Sequence, residues 1–187
     1  MPDFQALLAR LTRAFDGGRL AFMVIGGQAV LVHGEPRLTQ DVDVTLAAGP
    51  ERLPEVLTLC ETLGLEPLPE DPRTFVQRSY VLPVVDPPTG VRVDLIFSTT
   101  PYEAEAIARA QRIEVAGEAV PFAAAEDLVL HKLFAGRPRD LDDAVGVVRR
   151  KGPELDWAYL RRWAAEFAHV EGRETLPEVL ERLRSEA

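Results

Sequence analysis

The stretch Phe22–Leu46, FMVIGGQAVLVHGEPRLTQDVDVTL, decides how the rest of the chain is read. Its opening apolar run ends in Gly26-Gly27, and a second apolar run holds Asp41 and Asp43 one residue apart. Side chains at i and i+2 of a strand share a face. Asp41 and Asp43 therefore project together, while Val42 and Val44 point the other way, into a core. Adjacent carboxylates repel and are costly to desolvate unless a cation sits between them. A hard divalent ion such as Mg²⁺ takes such an oxygen pair and keeps positions open for substrate phosphates. The two glycines suit a strand-to-helix turn where backbone approaches a phosphate closely.

A third acid stands further along, in Val91-Arg92-Val93-Asp94-Leu95-Ile96-Phe97. Val93, Leu95 and Phe97 share one face of this predicted strand, and Arg92, Asp94 and Ile96 the other. An aspartate in mid-strand among apolar neighbours is disfavoured by propensity and burial and needs a reason. One reason is a salt bridge to a nearby arginine, or an edge position. Another is a metal-bridging carboxylate that accepts the proton of an attacking hydroxyl. Asp41 and Asp43 have their own plain reading, a solvated pair on an edge strand, and Gly26-Gly27 could be a simple tight turn.

Taken together, Gly26-Gly27, the Asp41-Val42-Asp43 pair and the later Asp94 resemble the nucleotidyltransferase fold of the DNA polymerase β superfamily. The nearer resemblance is to its small bacterial members of the AbiEii-toxin type, and it covers Ala21 to Val148. It implies catalytic, metal-holding roles for Asp41, Asp43 and Asp94, with two Mg²⁺ ions, or Mn²⁺, and an NTP as substrate. It implies attack of a hydroxyl at the α-phosphorus, with transfer of a nucleoside monophosphate and release of pyrophosphate. Many members carry Ser at the second glycine position, so Gly27 leaves more of the phosphate contact to backbone N–H groups. The family often shows Arg-x-Thr-x-Asp-x-Asp, which Arg37 and Thr39 match. Arg37 could then reach a phosphate in bidentate fashion, or be a surface charge at the entry to the strand.

A second block, AAAEDLVLHKLFAGRPRDLDDAVGVV, is similar to the helix pair that follows the catalytic sheet in AbiEii-like proteins. The resemblance gives Lys132 a role at the β- or γ-phosphate, and Arg139 and Asp140 a place beside it. Lysine is scarce here, since only Lys132 and Lys151 occur. The plain alternatives are a surface lysine and, for Asp140, complementing the dipole at the start of a helix that Pro138 can open. Asp142 and Asp143 read as solvated or paired.

The 187 residues suffice for one domain, or one with a helical appendage, and the 47% apolar and 27% charged content is ordinary globular composition. A net charge of −9 argues against sequence-blind binding to a polyanion such as duplex DNA. No apolar run reaches the length of a membrane span. MPDFQALLARLTRAF does not read as a signal peptide. Cys60, the sole cysteine, excludes an internal disulfide, reads as a buried thiol and makes a cytoplasmic home the default. His33, His131 and His169 lack metal-ligand spacing and read as structural.

Periodicity predicts helices over 3–15, 28–33, 51–63 and 101–110, and strands over 21–25, 40–46, 79–85 and 91–97. A small hairpin is expected over 112–122, and residues 65–73, rich in proline and acid, read as a loop. From residue 124 only helices are expected, over 125–135, 138–150, 155–168 and 175–185. Trp157, Tyr159, Leu160, Trp163 and Phe167 read as core packing or a partner interface. The fold class that follows is α+β: a mixed-sheet nucleotidyltransferase core over 1–123, and a helical segment over 124–187 packed against it.

The expected function is metal-dependent transfer of an NMP from an NTP to a hydroxyl acceptor, with tRNA or another RNA, or protein, among the acceptor classes. The chain would serve as the toxin of a toxin–antitoxin pair, with an antitoxin partner. The alternative is a nucleotide-binding regulatory or interaction module of the same fold without turnover. A helical interaction protein with incidental acids would place Asp41, Asp43 and Asp94 far apart. Arg149-Arg150-Lys151 and Arg161-Arg162 could guide RNA or be solvated faces.

Overall fold

The computed structural model describes residues 3–186. Helix α1 (Phe4–Gly17) is opened by the Asp3 carboxylate, which accepts from the Ala6 N–H, and buries Leu7, Leu8, Leu11 and Phe15. Strand β1 (Phe22–Ile25) leads into α2 (Gly26–His33), which starts at the glycine pair. Strand β2 (Asp41–Leu46) follows, then a short 3₁₀ turn and α3 (Leu53–Leu63), which ends on left-handed Gly64. The Cys60 thiol is buried on α3, and burial pushes its pKa up to about 12, which makes it an inert core group.

Residues 65–73, expected as a loop, contain the two-residue strand β3 (Glu66–Pro67) and the start of α4 (Pro72–Ser79). The Asp71 side chain accepts from the Thr74 N–H and Pro72 occupies the first turn, so the start signal was local. Only Val76 of α4 is buried, which left no apolar stripe to read. Strands β4 (Val81–Asp86) and β5 (Val91–Phe97), helix α5 (Pro101–Ala108) and strands β6 (Gln111–Val115) and β7 (Glu118–Phe122) follow. The rest is helical: α6 (Ala125–Ala135), α7 (Pro138–Lys151), α8 (Trp157–Phe167) and α9 (Leu176–Glu186).

The chain divides into two compact units. One comprises the described residues up to Gln28 together with Leu38–Phe122; the other takes Ala29–Arg37 together with the described residues from Ala123 onward. The helical unit thus includes most of α2 and the turn after it, drawn from early in the chain.

The first unit is built on a seven-stranded mixed sheet in the order β3-β4-β5-β2-β1-β7-β6. β2 lies between β1, antiparallel to it, and β5, parallel to it. β5 in turn is flanked by β4. Both acid-bearing strands are therefore interior, which removes the edge-strand explanation for Asp41, Asp43 and Asp94. Alternation sets their orientation: Val42, Val44, Val93, Leu95 and Phe97 are buried, while Asp41, Asp43 and Asp94 lie between buried and exposed.

In the second unit, Leu128, Val129, Leu130 and Leu133 of α6 and Ala144, Val147 and Val148 of α7 are buried, as are Leu160 and Leu180. The aromatic stripe of α8 is used in packing: Phe167 meets Phe134 edge-on at 5.1 Å, and the Arg162 guanidinium lies over the Tyr159 and Trp163 rings. Much of the expected basic cluster has intramolecular partners. Arg161 bridges to Glu181 at 2.6 Å, Lys151 to Glu154 at 3.0 Å, and Arg150 donates to the Gly34 carbonyl.

Candidate active site

In the first unit, strand pairing sets Asp43 directly opposite Asp94 and Asp41 directly opposite Arg92. Partners across a parallel pair project to the same face, so one patch of sheet carries three carboxylates and one guanidinium. The Arg92 Nε donates to Asp94 Oδ1 at 2.8 Å. That hydrogen bond raises the guanidinium pKa, and the charges of Asp94, Asp41 and Asp43 raise it further against the opposing effect of partial burial. The nearby arginine weighed as an explanation for Asp94 is therefore present, and it is the neighbour two residues back on the same strand.

Gly26 has φ +62°, and a Cβ built there would lie 1.8 Å from Asp43 Oδ2. Glycine is required twice over, by the left-handed backbone and by the carboxylate packed against it. A Cβ on Gly27 would lie 2.3 Å from the Thr39 hydroxyl and 2.7 Å from its Cβ. Thr39 donates that hydroxyl to Asp41 Oδ1 at 3.0 Å. Gly26, Gly27, Thr39, Asp41, Asp43 and Asp94 are thus brought to one place, where the N-terminus of α2 meets the acid pair.

The donor set suits a hard divalent ion in kind and in register, since it is all carboxylate oxygen. As the side chains lie, no three His, Cys, Asp or Glu groups among the described residues are gathered tightly enough to hold a metal. Thr39 holds one carboxylate and Arg92 another.

In the helical unit, Lys132 is buried, and its Nζ lies 2.9 Å from Asp140 and 2.8 Å from Asp143. Arg37 binds both oxygens of Asp143, at 2.7 and 2.9 Å. Arg137 bridges to Asp140. Burial is the largest single influence on both carboxyl groups and favours their neutral forms. The hydrogen bonds from Arg137 and Lys132 to Asp140, and from Arg37 and Lys132 to Asp143, together outweigh it and hold both pKa values below the ordinary range. Lys132, Arg37 and Asp140 were expected to matter, and they meet in one network. Arg139 is exposed in the first turn of α7. Asp143, read as solvated or paired, is paired; its place in this network and that of Arg137 were not expected. Their spacing was the available signal, since each lies three residues from Asp140 on the same helix end or its approach.

Solved structures that superpose on this chain include a nucleotidyltransferase-like protein and an antibiotic adenylyltransferase. An antigenic nucleotidyltransferase-like protein from Paracoccidioides brasiliensis superposes with a TM-score of 0.60 at 15% identity, covering 97% of this chain and 88% of that one. The antibiotic-resistance factor ANT(2'')-Ia gives 0.52 at 18% identity, covering 100% and 96%. The lincosamide antibiotic adenylyltransferase LnuA gives 0.53 at 12% identity, covering 78% and 95%. At these identities the likeness is one of fold. No curated protein matches in sequence. The family described as "Nucleotidyltransferase of unknown function (DUF6036)" matches residues 7–176, and the chain belongs to it.

Proposed function

We propose that this protein is a metal-dependent nucleotidyltransferase that moves an NMP from an NTP to a hydroxyl acceptor. The observation that carries the reading is the register of β2 and β5, which sets Asp43 against Asp94 with Asp41 on the same face and Gly26 against the Asp43 carboxylate. Asp41, Asp43 and Asp94 would hold Mg²⁺ or Mn²⁺. When bound, such an ion neutralises triphosphate charge and makes the acceptor hydroxyl more acidic. Asp94 is the group suited to take the acceptor's proton, being the acid on the separate strand. Thr39 orients Asp41, and the glycine turn admits the triphosphate close to backbone. The resemblance gives Lys132 and Arg37 the positive charge for phosphate oxygens; each is bound to carboxylates within the helical unit.

RNA, including tRNA, and protein are the acceptor classes we favour. A toxin role with an antitoxin partner, of the AbiEii kind, is the biological setting the site residues resemble. Purified protein incubated with labelled NTPs, Mg²⁺ or Mn²⁺ and cellular RNA or protein tests the activity. Label transfer by the wild type and its loss in Asp94→Asn are expected, and failure of the wild type to bind NTP at all would sink the reading. Growth arrest on expression, relieved by a co-expressed neighbouring gene product, tests the toxin role.

A second reading, a nucleotide-binding module without turnover, is favoured by one observation: Arg92 already neutralises Asp94. It predicts metal-dependent NTP binding with no transfer to any acceptor.

A further inference from the structure

Arg92 is a residue that the nucleotidyltransferase reading does not use. It is the register partner of Asp41, it lies two residues before Asp94 on the same strand face, and it binds Asp94 at 2.8 Å. Its side chain is 54% exposed, against 19% for Asp94. The guanidinium is therefore held by one carboxylate on a side chain that is more than half exposed. Three carboxylates on one interior patch of sheet need a compensating charge when no metal is present, and Arg92 is the cation the strand itself supplies. A guanidinium there is also a competitor, because it occupies a carboxylate oxygen and its charge opposes the approach of a second cation.

We propose that Arg92 is an internal counter-ion of the acid site, resting on Asp94 in the metal-free protein and displaced from it when a divalent ion is bound. This rests on the metal-dependent reading above. Arg92 sets the threshold for metal entry. An ion that arrives with a nucleotide brings phosphates to which the released guanidinium can turn, whereas an ion arriving alone leaves that guanidinium with no anion in exchange. Arg92 thereby favours metal delivered as a metal–nucleotide complex over free metal. No bond is made or broken in this exchange; one cation replaces another on the same oxygen.

The test measures Mn²⁺ binding to EDTA-stripped wild type, Arg92→Gln and Arg92→Lys, by calorimetry or by loss of the free-ion paramagnetic signal, with melting temperatures in EDTA and in saturating Mn²⁺. Arg92→Gln should bind free Mn²⁺ up to about fivefold tighter, the scale of one partly exposed ion pair. It should melt below the wild type in EDTA and recover in Mn²⁺, while Arg92→Lys, which keeps the charge, stays near the wild type. If the wild type binds Mn²⁺ and Arg92→Gln binds it equally or more weakly, the counter-ion role is overturned while the metal-dependent reading stands. If neither protein binds Mn²⁺, free or together with NTP, both fall. If only Arg92→Gln binds free Mn²⁺, the counter-ion role stands in its strongest form, with the wild type taking its metal only together with nucleotide.

Discussion

The acid patch on β2 and β5 and the ion network around Lys132 are built from the same residue types with opposite balance. On the sheet, Asp41, Asp43 and Asp94 share a face with Arg92, whose side chain is more than half exposed. Among the helices, Lys132, Arg37 and Arg137 outnumber Asp140 and Asp143, and Lys132 and both acids are buried. The first arrangement has its cation more than half exposed; the second has its lysine and both acids buried in close ion pairs. A buried pair is costly to break because the survivor is left uncompensated, whereas an open pair exchanges partners cheaply. The contrast separates charges expected to serve structure from charges expected to exchange. The expectation is that the sheet acids rearrange around an incoming cation without loss of fold, while the helical network depends on its lysine.

The largest effect expected from this contrast is on catalysis. Asp94→Asn should lower nucleotidyl transfer by about 10²–10⁴-fold, the range of a lost general base, with little change in melting temperature. If the acid patch were instead a structural salt-bridge site, the same change would lower stability and leave any transfer intact. Next comes Lys132→Met, which strands two buried carboxylates with only the arginines for compensation. It should cost about 3 kcal/mol of stability, measured by urea unfolding. An unchanged midpoint would place Lys132 with the exchangeable charges rather than the structural ones.

These two regions were legible in the sequence to different degrees. β5 was read at its observed bounds because Val91, Val93, Leu95 and Phe97 alternate with non-core residues. α6 was read at its bounds because an apolar run stops at left-handed Gly136. Asp41, Asp43 and Asp94 stood out because acids in apolar strands need a reason. What no local pattern carries is register. That Asp43 faces Asp94, and that Arg92 faces Asp41, depends on a parallel pairing of strands separated by α3, β3, α4 and β4. The bond from Arg37 to Asp143 spans 106 residues and was equally out of reach, although Asp143 and Asp140 are helix neighbours at a spacing that sequence does show. The helix at Pro72–Ser79 escaped for the opposite reason: its local signals were present, but it buries only Val76 and shows no periodic stripe.

A smaller effect probes the glycine turn that borders the acid patch. Gly27→Ala puts a Cβ 2.7 Å from the Thr39 Cβ, too close for rotation of a hydroxyl to relieve. Overpacking of this kind costs about 1–3 kcal/mol. Thr39→Gly combined with Gly27→Ala should recover part of that loss, as neighbours in contact do not act additively. If the single change proves neutral by thermal unfolding, the turn is more pliable than the geometry requires. Thr39 would then lose its claim to position Asp41.

The smallest effect separates the two regions by pH. His33 is buried, its Nε2 sits 2.8 Å from the Ala123 carbonyl, and burial lowers its pKa. Burial, with the charge of neighbouring Lys132, lowers the His131 pKa to about 4. Both histidines belong to the helical unit. A histidine with a lowered folded pKa binds fewer protons in the native state than in the unfolded chain, so stability rises with pH across the interval between the two values. For His131 that interval runs from about 4 up to the ordinary imidazole value of 6.5. Stability should therefore be full above this window and fall as pH drops through it. Asp140 and Asp143, whose pKa values are also lowered, add a second loss only as pH falls below the ordinary carboxylate range. Hydrogen exchange between pH 7 and pH 4.5 should show protection falling first in α6, α7 and α8, and His131→Asn should flatten that slope. Equal loss of protection in β2 and β5 over the same range would mean that the histidines do not set the acid sensitivity, and that the sheet acids share it.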